Sequence, residues 1–593
     1  MPPQCGRRRD RMFSGSSWAT RVASSVTATL LCAALAVVGV ATSASAEPPL
    51  QPIVPGMSSM TVPLGGDVRE VRLITGDVVR WGLGGRVASI VAGPRPDGSI
   101  PRFSVTMANS HTFVVPSDVL PMLDVRLDRQ LFDVDELAVM DRADGLVPVI
   151  VTLNGSGESE DGISEATWAS LGIQPGESLT SIAAQVGLVE ASASGRPAAS
   201  WGLLDALRSG GTMIDKIWLD GSVSVSAPTG VASGTPNADD AAGVPPWMSL
   251  IGADQAHSAG FDGRGVTIAV VDSGIDAAHP DLVGQIAAAR DFSESGSTDD
   301  ASGHGTFVAS EIAGTGAASG GEYAGVAPGA RLLNVRVLDD DGYGADSHVL
   351  AGLEWAAQQG ADIINVSMNY FGGYDDGSSL MDQVMNQLSQ EYGCLFVVAA
   401  GNDGAPQTVS APATAGVALA VGATYEDGQM AWFSSGGPRR GDGAVKPELV
   451  APGAGNLIVD AMGDPVYGAY GPATTGLIGA RAGTAGYTST SDGWSGTSMA
   501  APLVAGAAAI LKQAHPSLKD QGLRAALMGS AQPLSDSSTV FDHGAGLLSI
   551  PHALAQSVTT APAALNLGAL SFHMSGRWPR PCCIRMPEMT CRR

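Results

Sequence analysis

Between residues 266 and 424 the chain repeats one pattern: a short apolar run rich in β-branched residues, a polar turn, and often a helical period. The runs are "VTIAVVD" (266–272), "LLNVRVL" (332–338), "ADIINVSM" (361–368), "LFVVAAGN" (395–402) and "ALAVGAT" (418–424). Most are apolar at successive positions instead of alternating, which predicts strands covered on both faces. "DSHVLAGLEWAAQQ" (346–359) and "SSLMDQVMNQLSQEY" (378–392) lie between runs and carry a helical period. Strands alternating with helices predict an α/β fold, a doubly wound and mainly parallel sheet. Such sheets bind ligands at the carboxyl ends of their strands, where Asp272 and Asn402 fall.

The chain before this pattern reads differently. Residues 47–230 alternate strand-like runs, such as "VRLITGDVVRWG" (71–82) and "LVPVIVTLNG" (146–155), with polar turns. They predict an α+β or β-rich region without a catalytic constellation. "SGTPNADDAAGVPP" (233–246) is small, acidic and rich in Pro and Gly, the composition of an exposed linker. At the start, Arg7, Arg8, Arg9 and Arg11 precede the apolar "TLLCAALAVVGVA" (29–41) and "ASA" (44–46). That order predicts an export signal over 1–46, too short and wrongly flanked for a stable membrane anchor. The expected organisation is 1–46 signal peptide, 47–240 N-terminal region, 241–556 main domain and 557–593 tail. The tail, "RWPRPCCIRMPEMTCRR" from 577, gains arginine and cysteine so abruptly that it reads as disordered, truncated or out of frame.

Composition narrows the function classes. At 593 residues the chain exceeds one typical core. A formal net charge of −25 argues against nucleic acid as a partner, because phosphate backbones want basic patches. Of the cysteines, only Cys394 lies in the body, inside an apolar run, and it reads as a buried small hydrophobe.

Three polar motifs interrupt the apolar pattern. "VVDSGID" (270–276) ends a buried strand on Asp272, "GHGTFVAS" (303–310) sets His304 between glycines, and "WSGTSMAAPLVAG" (494–506) puts Ser498 at the start of a small-residue helix. Singly, Asp272 reads equally as a turn cap, His304 as a loop histidine and Asn402 as a turn former. Together an Asp, a His and a Ser can activate a hydroxyl nucleophile: the histidine takes the proton and the aspartate fixes the imidazole tautomer. Pro502 is tolerated in this helix because it is expected to fall in the first turn.

Residues 244–556 resemble the subtilases, the subtilisin family of serine endopeptidases, through "AVVDSGID", "HPDL", "GHGTFVA", "GVAPGARL", "AAGNDG", "FSSGGPR", "KPELVAPG" and "GTSMAAPLVAGAAA" in family order. The resemblance implies a subtilisin-like fold with Asp272, His304 and Ser498 as triad and Asn402 as oxyanion donor. It implies peptide binding between Gly342-Tyr343-Gly344 and Ser367-Met368-Asn369, where Asn369 and Tyr370 replace the smaller residues common in the family. Asp339, Asp340 and Asp341 precede the first segment, as a reader of basic residues or as a solvated acidic loop. His279 is structural, and Leu503 stands where many relatives have histidine. The expected function is a secreted serine endopeptidase acting on proteins or peptides, with residues 47–240 as a propeptide that chaperones and inhibits the enzyme. Cleavage is expected near 232–246. Catalysis requires no cofactor; many relatives bind structural calcium, but no loop here has ligand spacing that assigns a metal site. The alternative is a catalytically silent protein-binding module on the same fold.

Overall fold

The computed structural model describes residues 68–557 apart from 83–85, 109–110, 141–143, 155–162, 192–195, 210–212, 226–245, 318–319, 322, 371–375, 455–456, 460–464, 468–494 and 536. The expected signal (1–46), nearly all of the 233–246 linker and nearly all of the tail lie outside the described residues.

The main domain is built on a seven-stranded parallel sheet. Its strands run, in spatial order, Ile286–Asp291, Arg331–Arg336, Thr267–Asp272, Ile363–Val366, Leu395–Ala399, Leu419–Tyr425 and Leu449–Ala454. All five apolar runs contribute strands. The Ile286–Asp291 and Leu449–Ala454 strands were not among them: the first is half exposed at an edge, and the second is broken by proline and glycine. Ile268 and Val270 face one core with Phe307, Ala501 and Val504; Ala269 and Val271 face the other with Val349, Leu353 and Met385. Two covered faces explain why these runs do not alternate.

The helix Thr497–Ala514 is buried from Thr497 through Leu511. Its small residues set its distance from its neighbours. A side-chain carbon at Gly506 would stand 2.6 Å from the Val326 Cβ, and one at Gly453 would stand 3.2 Å from the Ala500 Cβ. Pro502 lies in the second turn, not the first as expected. A proline there has no N–H for the carbonyl four residues back, that of Ser498. The Ser498 carbonyl instead accepts from the Ser367 hydroxyl at 3.1 Å.

Residues 68–225 form an α+β region with its own core around Phe113, Phe132, Trp201 and Leu204. Its main sheet is antiparallel, in the order Ile173–Leu179, Ala184–Glu190, Leu146–Leu153, Ile214–Leu219, with helices Glu165–Ser170 and Trp201–Arg208 in the connections. Residues 68–140 add two small antiparallel sheets and the short helix Val134–Val139. The run 71–82, read as one strand, is two strands with a turn: Leu73 and Asp77 close it by a backbone hydrogen bond, and Gly76 has φ 80°.

Gly506→Val is expected to destabilise the main domain by about 1–3 kcal/mol, the usual cost of overpacking a tight core. Denaturant unfolding of the variant against its parent, both carrying Ser498→Ala to prevent self-digestion, measures it.

Candidate active site

Asp272 ends the interior strand Thr267–Asp272, and its carboxylate is buried. His304 opens the helix His304–Ala313, and its Nδ1 lies 2.8 Å from Asp272 Oδ1 and 3.0 Å from Oδ2. The glycine after the histidine is obligatory, since a side-chain carbon at Gly305 would stand 2.1 Å from the Gly274 carbonyl oxygen. The carboxylate is fixed in turn by the Ser273 N–H at 2.7 Å and the Ser273 hydroxyl at 3.2 Å. Only an ionised or acceptor-only carboxylate suits these donors, so the imidazole carries its hydrogen on Nδ1 and presents Nε2 as the basic nitrogen.

Behind this pair lies a residue the sequence reading missed. Asp300 is buried and accepts from the Gly303 N–H (2.6 Å), the Thr306 N–H (2.8 Å), the Thr306 hydroxyl (2.7 Å) and the Ser273 hydroxyl (3.0 Å). It therefore ties the first turn of the His304 helix to the loop after Asp272. Burial pushes its carboxyl up to about 6, with the nearby Asp272 charge adding to the effect. The signal was the aspartate four residues before His304, which has no obvious partner in the linear sequence.

Ser498 is the second residue of its helix, where a backbone N–H has no intrahelical acceptor. Its hydroxyl donates to the Ser367 carbonyl at 3.2 Å. Beside it, Asn402 Oδ1 accepts from both the N–H and the hydroxyl of Thr497 at 2.9 Å each. Two donors on Oδ1 settle the amide's orientation and turn its NH2 the other way. Thr497 also receives the Gly401 N–H on its hydroxyl at 3.1 Å. The sequence reading singled out Asn402 but not Thr497, the residue that aims it.

With this geometry in hand, comparison with known proteins is direct. Residues 263–546 match the model of the subtilase family. Subtilisin from Bacillus pumilus is 35% identical over 310 residues, covering 52% of this chain and 97% of that protein. Subtilisin BL from Lederbergia lenta is 37% identical over 305 residues, 51% of this chain and 96% of that protein. Subtilisin E from Bacillus subtilis (strain 168) is 36% identical over 310 residues, 52% of this chain and 70% of that protein. The chain belongs to the subtilase family. It is a serine-type endopeptidase, a hydrolase.

The two segments expected to bind peptide are paired with the enzyme's own chain. The strand Ser222–Ser224 lies antiparallel between Tyr343–Ala345 and Asn369–Tyr370. Val223 pairs with Gly344 on one side and Tyr370 on the other, Ser224 pairs with Tyr343 and Asn369, and the Val225 N–H donates to the Gly342 carbonyl at 3.1 Å. The two glycines make room for it: side-chain carbons at Gly342 and Gly344 would stand 2.8 Å from Val225 Cγ2 and 3.4 Å from Val223 Cγ2. Asn369 and Tyr370 do not block the pairing, because they take part through their backbone. Met368 is buried, packed in the core beneath. Asp220, just upstream, accepts the N–H and the hydroxyl of Ser347 at 2.8 Å each, at the first turn of the helix Asp346–Gln358.

The acidic run before Gly342 is used locally. Asp339 accepts the N–H groups of Asp341 and Tyr343 at 3.0 and 2.9 Å, and Asp340 pairs with Arg336 at 2.5 Å. His279 is buried and its Nδ1 accepts the Asp281 N–H at 3.2 Å. Burial pushes the Cys394 thiol up to about 12, which leaves it inert. Among the described residues no group of three or more His, Cys, Asp or Glu is arranged to hold a metal ion, and no helix is long and apolar enough to cross a membrane.

Gly342→Ala is expected to weaken the seat of Val225, since Gly342 has φ 83° and no room for a side chain. A clash of about 1–3 kcal/mol corresponds to roughly a fivefold or greater opening of the strand. In a Ser498→Ala chain, limited proteolysis by an added protease should cut beyond Val225 faster by that factor.

Proposed function

We propose that this subtilase is a secreted endopeptidase made as a self-inhibited precursor, with Asp272, His304 and Ser498 as its triad. The observation that carries the reading is a peptide strand seated beside Ser498. The Ser367 carbonyl that accepts the Ser498 hydroxyl belongs to the segment whose next residues pair with Ser224 and Val223. A peptide in the cleft is thus held by backbone hydrogen bonds on both edges, which suits extended protein chains of varied sequence.

In this reading Ser498 attacks the carbonyl carbon of the bound peptide while His304 Nε2 takes the hydroxyl proton. Asp272 holds the imidazole tautomer and stabilises the imidazolium. The developing oxyanion is met by the Ser498 N–H, at the positive end of its helix, and by the Asn402 NH2 that Thr497 aims. His304 then protonates the leaving amine. Water attacks the acyl-enzyme with His304 again as base, and Ser498 is released. No step calls on a metal.

Residues 68–225 act as propeptide, chaperone and inhibitor. Parallel strands pair only across long connections and form slowly, so a preformed α+β region docked on the helix Asp346–Gln358 and the cleft edges supplies a template. An antiparallel strand that continued the Ser222–Ser224 register by two residues would bring its carbonyl to Ser498. The expected processing point is therefore the bond 226–227, upstream of the 232–246 stretch that composition suggested.

A fluorophosphonate probe should label the wild type at Ser498 and leave Ser498→Ala unlabelled. Wild type should mature to a chain beginning near residue 227, while Ser498→Ala accumulates as precursor, by intact mass and N-terminal sequencing. An unlabelled wild type would favour a catalytically silent binding module, and equal processing of both forms would assign the cut to another protease. For the oxyanion, Asn402→Leu should lower kcat with little change in KM. Loss of one such donor in a subtilisin costs about 10²–10³ in kcat, and that magnitude is carried over from the relative. A near-normal kcat would remove Asn402 from the mechanism.

A further inference from the structure

Where the N-terminal region meets the helix Asp346–Gln358, two carboxylates are buried together. Glu136, on the helix Val134–Val139, is 1% exposed, and Asp346 is 3% exposed. The backbone of Gly221 and Ser222 runs between them. The Gly221 N–H donates to Asp346 Oδ2 at 3.0 Å, the Asp346 N–H donates to the Gly221 carbonyl at 3.0 Å, and the Ser222 N–H donates to Glu136 Oε1 at 3.3 Å. A side-chain carbon at Gly221 would stand 2.6 Å from Glu136 Oε1 and 3.0 Å from Asp346 Oδ2, so the two oxygens lie under about 6 Å apart. The other oxygens, Glu136 Oε2 and Asp346 Oδ1, are buried with no hydrogen-bond partner.

The charges around the pair do not neutralise it. On the N-terminal side Asp133 is matched by His111 Nδ1 at 2.6 Å, and Lys216 faces Asp128. Asp220 is bound by Ser347 and sensed by His348, and the Tyr370 hydroxyl lies 3.3 Å from the same point above Gly221. Among the described residues neither Glu136 nor Asp346 forms an ion pair. Two buried carboxylates this close repel each other, so burial and proximity both favour the protonated form. Desolvation first, then the charges of Asp133 and Asp128, push the Glu136 carboxyl up to about 8. Desolvation, then Asp220 and Glu136, hold Asp346 well above the usual carboxyl range.

We propose that Glu136 and Asp346 form a proton-dependent latch, which keeps the N-terminal region in the cleft at acidic pH and lets it go as the pH rises. The sign follows from linkage. Once the region leaves, both carboxyls meet water and ionise near their ordinary value, about 4. The docked state therefore binds more protons than the separated state from about 4 upward. Its added stability is complete below that range and is lost as pH rises through about 8, by up to roughly tenfold in the release equilibrium per pH unit for each proton. Of the other buried carboxyls that desolvation raises, Asp300 and Asp382 lie within the main domain, while Asp128 and Asp220 belong to the N-terminal side and add to the same pH dependence.

The latch rests on the proposed release of the N-terminal region after self-cleavage, and its test separates the two. Self-cleaved wild type is held at pH 5.5 or 7.5, sampled over time and assayed on a chromogenic peptide at one fixed pH, so the pH dependence of the assay itself does not enter. The release half-time should shorten by roughly tenfold or more between these pH values. In Glu136→Gln the shortening should be smaller than in the wild type and the half-time at pH 7.5 longer, because glutamine carries no charge and can still accept from Ser222 at any pH. A flat wild-type profile, or a variant that follows the wild type, overturns the latch. In the uncleaved Ser498→Ala chain the same linkage is read as a fall in unfolding temperature from pH 5.5 to 7.5. Glu136→Gln should reduce that fall, with Asp346→Asn making the same test from the other side, and a fall undiminished in both variants overturns the latch. A wild type that is never cleaved, by intact mass, sinks self-maturation, while the pH slope in the Ser498→Ala chain still decides the latch.

Discussion

Most of the site depends on one requirement: the helix that carries Ser498 must be buried from its first turn against the parallel sheet. A helix so placed can carry only small residues where it meets Val326 and the Leu449–Ala454 strand, and the run of alanines and glycines after Ser498 meets that condition. Burial also makes every polar group at the helix start costly unless it is bonded. The Thr497 hydroxyl and N–H go to Asn402, the Gly401 N–H goes to Thr497, and the Ser498 carbonyl, which Pro502 deprives of an intrahelical donor, goes to Ser367. The same bonds that satisfy the buried helix start orient the Asn402 amide and join Ser498 to the segment at Ser367. Packing and positioning are one problem with one solution here.

The two ends of the site are held by different means. Ser498 is set by a buried helix, whereas His304 is set by a loop folded around a buried carboxylate, Asp300, that collects two backbone N–H groups and two hydroxyls. Ser273 links that carboxylate to Asp272, so the orientation of the Asp272–His304 pair is supported from behind. Such support matters because a small displacement of a catalytic group is costly in rate. Neither Asp300 nor Ser273 needs to touch a substrate for this.

Residues 222–225 lie between Tyr343–Ala345 and Asn369–Tyr370 through backbone pairing, which any extended chain could imitate. What ties this particular strand to this enzyme lies outside the cleft, at Asp220 on Ser347 and at Glu136 opposite Asp346. The strand is thus held in two ways: by backbone pairing with Tyr343–Ala345 and Asn369–Tyr370, and by buried carboxylates outside that pairing.

The sequence alone determined the sheet and its class, because strands buried on both faces must be apolar at successive positions, and that pattern survives in any register. It located Asp272, His304, Asn402 and Ser498, since glycines and small residues around them leave a local imprint. The edge strands at 286–291 and 449–454 escaped because exposure and proline weaken that imprint. The placement of Pro502 needed the true helix start, a boundary that propensity fixes only loosely. Tertiary structure alone decided the partners of Thr497, Asp300, Glu136 and Asp346. Their roles depend on groups brought together across gaps of up to more than 200 residues in the chain, such as Glu136 and Asp346, and on burial, which turns an ordinary carboxylate or hydroxyl into one that must find a partner or a proton.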